Sequence, residues 1–101
     1  MNVTLDEFRV AINQLHHCQP GRVAEVVQVT VAVEGEAPWQ GAVHVFEISG
    51  HAAATRCFAW PSQPDPATVI IHAVLQRPAT RSAEQAVRSI LRRAARKARS
   101  R

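Results

Sequence analysis

The sequence predicts an α+β fold, a four-stranded antiparallel meander sheet with an N-terminal and a C-terminal helix in the order α-β-β-β-β-α. Three observations lead there. Apolar residues recur at helical spacing near both ends of the chain, and between them β-branched residues alternate with a period of two. Turn residues punctuate that middle stretch at short intervals. With 101 residues, 47% hydrophobic and 20% charged, the chain has the length and apolar content of a single domain, residues 1–101.

The first helix is predicted over residues 5–16. Thr4 and Glu7 form a capping box, in which the hydroxyl accepts from the third helical amide while the carboxylate reaches back to the cap. Leu5, Phe8, Ile12 and Leu15 then share a stripe, and Pro20-Gly21 stops the helix. From Arg22 the period becomes two, with Val23, Val27, Val29, Val31 and Val33 on one face. Glu34 to Pro38 reads as a turn, Trp39 to Ile48 as the second strand, and Ala54 to Trp60 as the third. Pro61, Pro64 and Pro66 lack amide donors, so residues 61–66 read as a loop. Thr68 to Gln76 is the fourth strand. Ser82 and Gln85 form a second capping box, opening a helix with an apolar stripe of Ala83, Ala86, Val87, Ile90, Leu91, Ala94 and Ala98. Both helices are expected on one face of the sheet, with residues 96–101 as a frayed basic tail.

Register gives a first candidate site. If Val33 faces Trp39, then Glu25 faces Glu47; if Ser49 faces Ala54, then Glu47 meets Arg56, Val45 meets Phe58 and Val43 meets Trp60. Two carboxylates beside an arginine form a candidate small-ligand or acid–base site, or a salt-bridged end of the sheet. The opposite face would carry Val26, Phe46, Ile48, Ile70 and Val74. Left uncovered by helices, those residues form an apolar patch larger than monomers usually tolerate, which leads to an expected homodimer.

Charge is divided sharply along the chain. Residues 1–76 hold three arginines against seven acids, whereas residues 77–101 hold nine Lys/Arg against Glu84 alone. Arg88, Arg92, Arg93, Arg96 and Lys97 of the last helix are therefore candidate phosphate contacts for a nucleic acid. Cations near a helix C-terminus also complement its dipole.

Other chemistries find no signature. The five histidines and two cysteines lack the short paired spacings of a structural zinc site, and no cofactor motif is present. Cys57 sits mid-strand like a small hydrophobe. No run of about 18 apolar residues marks a membrane span. The N-terminus lacks the basic and apolar regions of a signal peptide, and two cysteines suit a reducing cytoplasm. Eleven arginines against one lysine suggest a GC-rich bacterial source.

Trp39-x-Gly41-x-Val43-x-Val45-Phe46, then Gly50-His51, Ala59-Trp60 and Ala86-Val87-Arg88, resembles a pattern in small proteins encoded on mobile integron gene cassettes. The resemblance covers residues 39–91, with Ala52 where a proline is expected. It implies a single-domain bacterial protein and transfers no active site. The functional expectation is a non-enzymatic interaction module that self-associates through a sheet face. The alternatives are a nucleic-acid-binding protein and a ligand-binding protein or enzyme at Glu25, Glu47 and Arg56.

Overall fold

The computed structural model describes residues 3–35 and 37–99, and the predicted order of elements is the observed one. Helix α1 spans Leu5–His16, strand β1 Gln19–Val31, β2 Trp39–Ser49, β3 Arg56–Asp65 and β4 Thr68–Leu75, and helix α2 spans Ala83–Arg99. The four strands form one antiparallel meander sheet in sequence order. The α1 capping box is present, with the Thr4 hydroxyl accepting from the Glu7 amide at 3.1 Å. His17 closes the helix in the left-handed conformation at φ 53°. At α2, Ser82 accepts from the Gln85 amide, and the Gln85 side chain reaches the Arg81 amide. The expected frayed tail is helical as far as Arg99, and its last two residues lie outside the described ones. Among the described residues no helix is long and apolar enough to cross a membrane.

The helices cover opposite faces of the sheet, contrary to the expectation of a shared face. Phe8 and Ile12 of α1 pack with Phe46, Ile48, Cys57, Ala59 and Leu75. Ala83, Ala86 and Val87 of α2 pack with Val29, Val31, Val43, Val45, Phe58 and Trp60. Successive strand residues point to opposite faces. Phe46 and Cys57 therefore belong to one layer, Val45 and Phe58 to the other, and each layer receives a helix. The sequence places apolar residues on both sides of β2 and β3, and two separated helices are the economical way to cover both.

The β1–β2 register also differs. Val31, not Val33, faces Trp39, and Glu25 faces Val45. From Glu25 to Val31 the displacement is two residues, so those side chains keep their faces and the hydrophobic pattern cannot tell the two registers apart. Register irregularities between Pro20 and Glu25 shift the pairing two residues further, to Pro20 opposite Ile48, and turn Val23, expected on the face of Val27 to Val33, to the α1 layer opposite Phe46. Between β2 and β3 the expected pairs hold, with Val45 opposite Phe58 and Glu47 opposite Arg56. In β4, Val74 faces Phe58 and Leu75 faces Cys57. Ile71, Ala73 and Leu75 thus lie on the α1 face, and Ile70 and Val74 on the other.

The stretch read as a loop at residues 61–66 is mostly strand, since β3 runs through Pro61 and Pro64 to Asp65. Backbone direction explains how. The Ile48 amide bonds to the Thr55 carbonyl on the β2 side, and the Gln76 amide to the Arg56 carbonyl on the β4 side. Backbone groups of successive strand residues alternate in direction, so Pro61 turns its nitrogen toward β2. Its missing donor costs the β3–β4 ladder nothing. Pro64 sits in the register irregularity between Ser62 and Asp65.

Candidate ligand-binding cleft

The same proline opens the sheet. The β2–β3 ladder runs from Glu47↔Arg56 to His44↔Ala59 and stops. The next hydrogen-bonded pair would join Ala42 to Pro61, which has no N–H to give. Beyond that point β2 continues paired with β1 as far as Trp39, and β3 continues paired with β4. The two hairpins diverge, and a cleft of about 740 Å³ lies between them.

Its walls come from both faces because the sheet is interrupted there. Phe8 and Val3 close it on the α1 side, Leu91 and Trp39 on the α2 side, and Gln40, Ala42, His44, Pro61, Ser62 and Gln63 form its strand walls. By the alternation above, the backbone groups of Gln40 and Ala42 point toward β3, beyond the last registered β2–β3 pair. Among the described residues no Asp, Glu, Lys or Arg lines the cleft. Gly41 has a specific part, since a Cβ there would lie 2.9 Å from the Trp39 ring. Without one, the indole lies along its own strand and forms a wall; it meets Trp60 edge-on with ring centres 6.3 Å apart.

Two histidines flank this region. His44 stacks against Phe8 with ring centres 5.0 Å apart, and its buried Nδ1 has no hydrogen-bond partner. Burial lowers its pKa below the usual imidazole value, so the ring is neutral at physiological pH. His72 stacks on Trp60 at 5.4 Å, and its Nε2 lies 2.9 Å from the Ser62 hydroxyl. Burial lowers its pKa as well. The cleft thus offers aromatic surface, a hydroxyl held in place and amide groups, all uncharged.

The residues singled out by sequence are placed elsewhere. Glu47 pairs with Arg22 through two contacts of 2.8 and 3.3 Å. That hydrogen bond holds the Glu47 carboxyl below its ordinary pKa and raises that of Arg22. Glu25, displaced by the register, shares a separate hollow of about 350 Å³ with Arg56 and Gln76, and Glu47 does not line it. Phe46 and Ile48 are buried beneath α1, Val74 packs against the α2 layer, and Val26 and Ile70 are exposed. These five residues therefore do not form one surface. Arg88, Arg92, Arg93 and Arg96 line a common hollow on α2, and Lys97 lies outside its lining. Cys57 is fully buried, with its thiol pushed up to about 12 chiefly by desolvation, and burial raises Cys18 too. Among the described residues no His/Cys/Asp/Glu group is arranged to hold a metal ion.

Sequence reasoning missed the cleft because it read Pro61 as the end of β3. The usable signal was the alternation of Phe58, Trp60 and Ser62 against Cys57, Ala59 and Pro61, which continues past the proline. No protein-family model, curated protein or solved structure matches the chain. Fold and cleft together define a small α+β domain with a split antiparallel sheet.

Proposed function

We propose that this domain binds a small, uncharged, largely flat molecule in the cleft between the β1–β2 and β3–β4 hairpins. The observation that carries the reading is the interruption of the β2–β3 ladder at Pro61, which leaves a lined opening where a sheet is normally closed. Its volume falls in the range of small-molecule sites, about 300–1,000 Å³. Aromatic walls with a few fixed polar groups suit an aromatic or heterocyclic ligand with one or two hydrogen-bonding groups. The uncharged lining disfavours an ion, which would lose hydration without gaining a partner.

Titration with indole and with 2-naphthol, followed by the two tryptophan indole N–H signals and the backbone amides, tests this reading. Shifts confined to Trp39, Gln40, Ala42, His44 and Ser62 are expected, and Ala42→Leu should abolish them by filling the opening. Scattered shifts, or shifts that survive Ala42→Leu, would show that the cleft is not the site.

Self-association, the leading expectation from sequence, is supported differently than expected. With Phe46 and Ile48 covered, the apolar residues left for a second copy include Val69 and Ile70 on the edge strand β4. A dimer formed there would persist in Phe46→Leu and be lost in Ile70→Lys, as read by sedimentation velocity.

A further inference from the structure

The hollow on α2 has a different chemistry from the cleft. Four arginines, Arg88, Arg92, Arg93 and Arg96, form one side, and residues 32–34 at the end of β1 form the other, enclosing about 690 Å³. Among the described residues the only acid in its lining is Glu34. Arg88 is held by Glu84 one turn earlier. Arg92, Arg93 and Arg96 make no ion pair with any described residue. Arg88, Arg92 and Arg96 succeed one another at four-residue spacing, which brings like charges together on one helix face and is mildly destabilising. Among the described residues only Arg88 of this row is paired with an acid.

We infer that the Arg92–Arg93–Arg96 face of α2 is a contact surface for the phosphate backbone of double-stranded nucleic acid. Guanidinium groups offer planar forked donors that match phosphate oxygens. A rigid platform presents them, because Ala83, Ala86, Val87 and Ala95 are buried beneath the helix. Those same buried residues exclude a membrane surface as the partner, since an interfacial helix must insert the apolar face that α2 has committed to the sheet. An acidic protein fits less well. Protein interfaces rest on buried aromatic or aliphatic anchors, and the exposed side of this hollow offers none, whereas nucleic-acid interfaces are polar and basic. Single strands are bound through stacking aromatics. Phe8, Phe46, Phe58 and Trp60 are buried and Trp39 walls the cleft, so the chemistry matches duplex phosphates without base readout.

The test is fluorescence anisotropy of a fluorescein-labelled 20-base-pair DNA duplex of arbitrary sequence, titrated with the full chain. Three phosphate contacts predict a log–log salt slope of about −2.7, an affinity loss of about 40-fold between 50 and 200 mM salt. The triple variant R92Q/R93Q/R96Q should lose most of the binding and flatten the slope. A control variant, R56Q/R77Q/R81Q, removes the same charge from other exposed positions and should bind within a few-fold of the parent. Equal weakening by both variants would reduce the effect to net charge and overturn the inference. Poly-glutamate competing as well as unlabelled duplex at equal charge, or no binding at 20 mM salt, would overturn it too.

Discussion

The β2–β3 seam has two unlike ends. Near Glu47 and Arg56 the strands are laddered, Phe46 and Cys57 are fully buried beneath α1, and an ion pair from Arg22 ties β1 to Glu47 at the rim. Beyond His44 and Ala59 the same strands part, side chains from both layers line the gap, and a histidine nitrogen goes unpartnered. Hydrophobicity does not separate the two ends, since Val43 and Trp60 flank the opening and are as buried as Val45 and Phe58. What separates them is a single backbone donor. A sheet is held laterally by its ladder, so one residue that cannot donate, placed with its nitrogen toward the neighbour, is enough to end the pairing and leave an open cleft.

That comparison can be broken most forcefully at the laddered end. Phe46→Ala removes a fully buried ring and should cost about 3–5 kcal/mol in urea unfolding, whereas Gln40→Ala at the open end should change stability by less than about 0.5 kcal/mol. Comparable losses would mean that the open end is as tightly packed as the other. Pro61→Val restores the donor that the seam lacks. The amide introduced at position 61 should bond to the Ala42 carbonyl, show slowed hydrogen exchange and add about 1 kcal/mol of stability, with loss of naphthol binding. Fast exchange at that amide would assign the opening to something other than the proline.

The smallest expected effect concerns pH. His44 and His72 have folded pKa values below their unfolded ones, so the folded state binds fewer protons. Their contribution is complete above the unfolded pKa of about 6.5 and is lost as pH falls toward the folded values. Urea midpoints should therefore decline between pH 7.5 and 5.5. His44→Phe, which keeps the stack on Phe8, should reduce that decline by less than about 1 kcal/mol. An unchanged slope would mean that His44 is solvated in the folded protein.

Much of this was readable from the chain. The α1 limits, the antiparallel meander, the pairing of Val45 with Phe58 and Glu47 with Arg56, and the basic face of α2 all follow from local spacing and capping. The candidate acidic site was not, because it depended on the β1–β2 register, and a slip of two residues leaves no trace in a period-two pattern. The proposed dimer surface failed as a single surface for a related reason. Alternation shows that two faces of β2 are apolar, but not which helix packs on which.

By itself, the sequence determined what neighbours within a turn govern: where helices begin, how side chains alternate along an unbroken strand, and where charge accumulates. Only the tertiary structure decided the relations between distant segments, namely the split of α1 and α2 to opposite faces, the ion pair of Glu47 with Arg22, and the cleft at Pro61. A proline reads identically in a loop and in a strand until the direction of its nitrogen is known. That direction is set by the ladders on either side, which no local pattern encodes.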